Sequence, residues 1–193
     1  VSAAKWYVWT STTGLSTLQS GSITVTSSGT VTGNYQVQYP TYQITFNQTG
    51  VGSDFTGTVI VIDGTNYLVT DLPVSFTWAS GSTHSFSFQS PLAVGTDKQY
   101  TWTSTTGLST LQSDTLTITG SGSITGNYKT QYYLTVNNGG HGTATGEGWY
   151  DAGTSATFSI SPTIVPGSAG KQYVFTGWIG TGTGSYTGPD VSH

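Results

Sequence analysis

Residues 9–20, WTSTTGLSTLQS, return without a change at 102–113, and the register of that 93-residue shift holds on both sides. Lys5 maps onto Lys98, and Thr32-Gly33-Asn34-Tyr35 maps onto Thr125-Gly126-Asn127-Tyr128. Self-similarity at a fixed interval marks one supersecondary unit used more than once. Such a unit buries its apolar face only against strands of its own module or of a neighbour. A chain of this kind folds as copies of a module, not as one irregular domain.

The module is made of strands. Apolar and polar residues alternate in Tyr42-Gln43-Ile44-Thr45-Phe46, Phe76-Thr77-Trp78, Phe86-Ser87-Phe88, Leu116-Thr117-Ile118 and Phe158-Ser159-Ile160, the period-two pattern of half-buried strands. Val59-Ile60-Val61-Ile62 is apolar throughout, as a central strand is. It meets Tyr67-Leu68-Val69 across Asp63-Gly64-Thr65-Asn66, a hairpin signal. No segment keeps helical spacing for long, and Leu15 and Leu18 share at most one turn. The expected fold class is all-β, with antiparallel, Ig-like β-sandwich modules in tandem.

Composition fits that expectation and narrows the function. Ser and Thr make up roughly a third of the 193 residues, and only 6% are charged. Six Trp, twelve Tyr and seven Phe supply a core that a disordered linker lacks. Each of these rings can bury roughly 150–250 Å². Cys and Met are absent, so there is no disulfide, no thiolate metal site and little for oxidants to attack. That suits an exposed, oxidising or hot setting. Four Lys and no Arg against eight acidic residues argue against a nucleic-acid partner, whose phosphates demand clustered cations. No run of about twenty apolar residues suggests a membrane span. A surface so poor in charge relies on hydroxyls, and on attached sugar, for solubility. Asn47-Gln48-Thr49 is the one N-glycosylation sequon, with Asn47 as the acceptor of a glycoprotein.

The repeat frame extends further. Lys98-Gln99-Tyr100-Thr101-Trp102-Thr103 has a third relative in Lys171-Gln172-Tyr173-Val174-Phe175-Thr176. The strand and bend Ser85-Phe86-Ser87-Phe88 with Pro91 match Thr157-Phe158-Ser159-Ile160 with Pro162. On this frame residues 1–41 are the back half of a module, 42–132 a complete β-sandwich, and 133–193 the incomplete front of a third.

Three stretches carry a resemblance: Tyr132-Tyr133-Leu134-Thr135-Val136, Gly148-Trp149-Tyr150-Asp151-Ala152-Gly153-Thr154 and Tyr173-Val174-Phe175-Thr176-Gly177-Trp178. They resemble the divergent B-repeat of bacterial and archaeal surface proteins. Residues 11–20 and 126–133 resemble the Thr/Gly-rich tandem β modules of large secreted archaeal proteins. The resemblance implies an extracellular, non-enzymatic role as stalk, adhesin, surface layer or filament. It brings no catalytic residues and no cofactor.

The residues themselves point the same way. Serines abound, but no Gly-x-Ser-x-Gly elbow occurs, and His84, His141 and His193 are scattered. A calcium site needs six to eight clustered oxygens, and neither Asp63 with Asn66 nor Asp151 with Glu147 and His141 forms a DxDxDG-like loop. Exposed aromatic rings admit a carbohydrate-binding role, with surface glycans as partners. Trp9, Trp102 and Phe175 nevertheless hold equivalent repeat positions beside apolar partners, the pattern of a core. Lys5 and Lys98 each precede an Asn, Asn34 and Asn127, by the same interval, and surface Ig-like modules can carry a Lys–Asn isopeptide bond beside a buried acid. No repeated acid accompanies them, and an edge-guarding lysine with a bulge asparagine accounts for both.

The incomplete end modules suggest how such a chain works. A front part and a back half can each complete their core only with strands from elsewhere. Head-to-tail β-strand complementation between copies, through a joint of Trp6, Val8, Ile23, Val25, Phe158, Ile160, Tyr173 and Phe175, yields a filament or pilus. The expectation is a secreted, homopolymeric structural protein. The alternative is a fragment of a long adhesin, stalk or S-layer protein, with a carbohydrate-binding module third.

Overall fold

A computed structural model describes residues 5–193. The chain enters as a hairpin of β1 (Trp6–Gly14) and β2 (Val31–Gln38). The central part holds β3 (Thr41–Thr49), β4 (Ile60–Ile62), β5 (Thr65–Tyr67), β6 (Val74–Ala79), β7 (Thr83–Phe88), β8 (Leu92–Ala93), β9 (Lys98–Gly107), β10 (Ser113–Thr117) and β11 (Gly122–Leu134). Short strands follow: β12 (Thr143–Thr145), β13 (Gly148–Asp151), β14 (Ser159–Ser161), β15 (Ile164–Pro166) and β16 (Gln172–Val174). The chain is all-β, and among the described residues no helix is long and apolar enough to cross a membrane.

Two sheets form the centre. One has the order β6-β3-β11-β9-β8, with β13 added along the far end of β11; the other runs β10-β7-β4-β5. Alternation decides which side chains meet between them. Ile44 and Phe46 of β3, Ile124 and Tyr128 of β11, Ile60 and Ile62 of β4, and Phe86 and Phe88 of β7 join one buried cluster. Phe46 lies 5.7 Å from Phe86 across the layers, and Phe88 lies 6.4 Å from Tyr128. Burial of side chains this large contributes about 1.5–3 kcal/mol each, so this sandwich-like pair of sheets is the stable centre of the molecule.

Local chemistry sets the turns. Asp63 and Gly64 both take positive φ, 46° and 80°, closing the β4–β5 hairpin as a two-residue primed turn requires. The returning strand stops at Tyr67 and does not reach Val69. The Asp71 carboxylate accepts the Leu68 N–H at 2.8 Å and draws Val69–Asp71 into a 3₁₀ turn. Leu116-Thr117-Ile118 ends its ladder at Thr117, and Ile118 enters the core just beyond.

The expectation of wholly antiparallel sheets needs correction: β3 and β11 run parallel, Ile44 opposite Gly122 through Thr49 opposite Asn127. Parallel neighbours need a long connection, and the second sheet together with β9 supplies it. β11 also runs through the boundary drawn at 132. Tyr132 and Tyr133 pair with Tyr150 and Trp149 of β13, so the large sheet continues into the C-terminal part.

Gly126 shows how tightly the layers close. A Cβ there would sit 2.6 Å from the Phe88 ring, whereas its repeat counterpart Gly33 has nothing nearer than a Tyr35 ring carbon at 3.6 Å. Gly126→Ala should therefore destabilise the sandwich by about 1–3 kcal/mol. Gly33→Ala should change thermal unfolding by less than about 0.5 kcal/mol. Equal effects in a thermal melt would contradict this packing.

Candidate functional site

The β1–β2 hairpin reproduces β9–β11 bond for bond. Trp9 pairs with Tyr35 as Trp102 pairs with Tyr128, Gly14 with Val31 as Gly107 with Ile124, and the same bulge interrupts both ladders. The Trp9 indole N–H donates to Thr12 Oγ1 at 3.2 Å, and that of Trp102 to Thr105 Oγ1 at 3.1 Å. Thr10 Oγ1 donates to the Asn34 carbonyl as Thr103 Oγ1 does to that of Asn127. Asn34 Nδ2 reaches Ser11 Oγ at 3.0 Å, and Asn127 Nδ2 reaches Ser104 Oγ at 3.1 Å. These bonds are local, so identical sequence produces identical geometry in both places.

What differs is the cover. Tyr7, Val31, Tyr35 and Val25 are 60%, 49%, 63% and 71% exposed; their counterparts Tyr100, Ile124, Tyr128 and Ile118 are 3%, 0%, 7% and 2% exposed. In the central sandwich β3 lies along the outer edge of β11, and Phe88 covers its face. Among the described residues β2 pairs with β1 alone. The hairpin thus repeats the β9–β11 ladder with Tyr7, Val31 and Tyr35 exposed and, among the described residues, with the outer edge of β2 unpaired.

The expected joint residues divide between faces. Ile23 and Val25 are exposed and correspond to Leu116 and Ile118, which pack in or on the core. Trp6 and Val8 correspond to Gln99 and Thr101 on the opposite face; the Trp6 indole donates to Gln38 as Gln99 does to Gln131. Tyr7, Val31 and Tyr35, missed in reading the sequence, are the hairpin residues whose counterparts Tyr100, Ile124 and Tyr128 line the core. The 93-residue shift laid over a period of two would have found them.

At the other end, Ile160 is buried and Phe158 packs edge-on to Trp178 at 5.1 Å. Phe175 also contacts Trp178, and Tyr173 stacks on His141 at 3.6 Å while remaining exposed. A cleft of about 360 Å³ opens among Ile160, His141, Val165, Tyr173 and Phe175. Phe158, Phe175 and Trp178 thus pack together near this end of the chain.

The remaining candidates have local partners. Lys98 lies opposite Tyr132, and Asn127 opposite Ser104, so the ladder does not bring that lysine and asparagine together. Lys98 Nζ instead bonds Asp54 Oδ2 at 2.6 Å, and Asn127 sits at the β11 bulge, accepting from Thr49. Lys5 lies 5.7 Å over the Tyr7 ring, and Asn34 stays with Ser11. Asn47 Oδ1 accepts the Gln48 N–H on β3, and Asn47 pairs with Thr125. Asp63 binds His84 and Ser85, Asp151 binds Lys129 and Gln131, and Glu147 accepts from Tyr133. The oxygens considered for a cation are therefore divided among separate partners.

Comparison with known protein families, curated proteins and solved structures finds no match to the chain.

Among the described residues three close charge pairs form, at Asp54, Asp63 and Asp151. Hydrogen bonds from Lys98, and then from Tyr100, hold the Asp54 carboxyl below the usual carboxylate range. Lys129, and then Gln131, lower Asp151 in the same way. At Asp63 burial opposes ionisation, but bonds from His84 and Ser85 outweigh it. A carboxyl depressed by folding stabilises the native state above its unfolded pKa of about 3.9, and that contribution is lost as pH falls through the folded value. Melting temperature should accordingly drop below about pH 4. Asp54→Asn should flatten that acid limb, and an unchanged limb would show that the pair is not coupled to folding.

Proposed function

We propose that this chain is a structural subunit of an extracellular filament or pilus, built from tandem Ig-like β-sandwich modules and assembled head-to-tail by β-strand complementation. One observation carries the reading. A hairpin with the sequence, register and side-chain bonds of a buried sandwich half presents its inner face and one edge to solvent. Exposed apolar faces of this kind mark interaction sites, and a free strand edge offers a row of unpaired backbone groups to a partner. Strands that complete the module satisfy both at once.

The same chemistry supports the setting. A hydroxyl-rich, charge-poor chain without Cys or Met suits the outside of a cell, where redox conditions vary and thiols oxidise. The contact joins unlike surfaces, so it does not close on itself and propagates as a fibre.

Negative-stain imaging of the purified protein at neutral pH should show thin, unbranched fibres. Tyr35→Ala should leave the melting temperature of the central sandwich within about 1 °C, because the ring is exposed, and should abolish fibres. Tyr128→Ala should cost about 3–5 kcal/mol of stability. Discrete wild-type particles would instead favour a length of adhesin or stalk whose neighbouring modules supply the missing strands.

A further inference from the structure

The end of β11 and the segment that follows it repeat the beginning of the central part of the chain. Residues 132–142, YYLTVNNGGHG, align with 42–52, YQITFNQTGVG: Tyr, Thr, Asn and two Gly are identical, and Leu134 and Val136 stand for Ile44 and Phe46. In the central module Thr45–Thr49 of β3 lie parallel to β11. In the second copy of that sequence, residues 135–139 belong to no strand and no ladder among the described residues. Exposure still alternates there, with Val136 and Asn138 half-buried between exposed Thr135, Asn137 and Gly139. A cleft of about 490 Å³ runs beside Thr135, Val136, Asn137 and Asn138.

The molecule therefore carries two halves of one strand pairing that do not meet. β2 has the sequence and geometry of β11 without its β3. Residues 135–139 keep the alternation of Thr45–Thr49, with Thr and Asn at the same two outward positions, and lack a β11 beside them. We propose that residues 135–139 of one copy add in parallel to the free edge of β2 in a second copy, in the register that β3 and β11 use. This rests on the head-to-tail reading above and fixes its contact. Transferring the β3–β11 register sets Val136 opposite Val31, Asn137 opposite Thr32, and Asn138 opposite Gly33. Val136 then faces the bare side with Tyr35, as Phe46 shares the core with Tyr128. Asn137 and Thr32 point outward, as the alternation around Phe46 and Ile124 requires.

The absence of cysteine makes the register directly readable. Opposed strand residues lie within the 4.4–6.8 Å Cα separation that a disulfide spans. A chain carrying both Asn137→Cys and Thr32→Cys, assembled and mildly oxidised, should run as a reducible ladder of covalent multimers on a denaturing gel. A mixture of the two single variants should stop at dimers. The shifted pair Asn137→Cys with Gln36→Cys should give no ladder. Fibres by microscopy without the in-register ladder, or with an equal ladder from the shifted pair, would overturn the inference while leaving filament assembly standing. Absence of wild-type fibres would overturn the assembly reading itself. The exposed cysteine positions leave the sandwich intact, which an unchanged melt of each reduced variant confirms.

Discussion

Tyr128 packs its ring edge-on to Phe88 and gives its hydroxyl to the carbonyls of Gln89, at 2.9 Å, and Val59. Both acceptors belong to chain flanking the facing sheet, so one side chain fastens the two layers by apolar contact and hydrogen bond together. Burial raises the hydroxyl's pKa well above the ordinary phenol value, which keeps it a donor at any physiological pH. Gly126 beside it leaves the space the Phe88 ring occupies. The order of the central sandwich depends on this closure of β7 onto β11.

The first repeat contains the same Gly-Asn-Tyr sequence and lacks the closure. Tyr35 reaches solvent because no described residue lies over Gly33 as Phe88 lies over Gly126. Hydrogen bonds within the hairpin survive unchanged, since they need only the two strands. Apolar burial does not survive, since it needs a second layer. The two copies thus separate the local from the non-local part of β-sandwich stability within one chain.

Much of this was legible in the residues. Period-two alternation located the core strands because a strand's side chains alternate between faces. Asp63-Gly64 announced its turn because positive φ suits that pair. The length of β5 was misjudged at Val69, where the Asp71 carboxylate captures a backbone N–H. Among the residues expected at a joint, Ile23 and Val25 repeat Leu116 and Ile118 of the core cluster, whereas Trp6 and Val8 repeat Gln99 and Thr101, which lie outside it.

The sequence by itself determined the all-β class, the alternating core strands, the Asp63-Gly64 turn and the internal register of the repeated hairpin, all consequences of short-range alternation, turn chemistry and side-chain-to-backbone bonds. Only the tertiary structure decided that β3 runs parallel to β11, that the large sheet continues into β13, and that identical residues are core in one copy and surface in the other. Those outcomes depend on which distant strands arrive at an edge. A side chain's burial is a property of its neighbours: Tyr7 and Tyr35 are exposed where their identical counterparts Tyr100 and Tyr128 are buried, and residue type alone cannot carry two sets of neighbours.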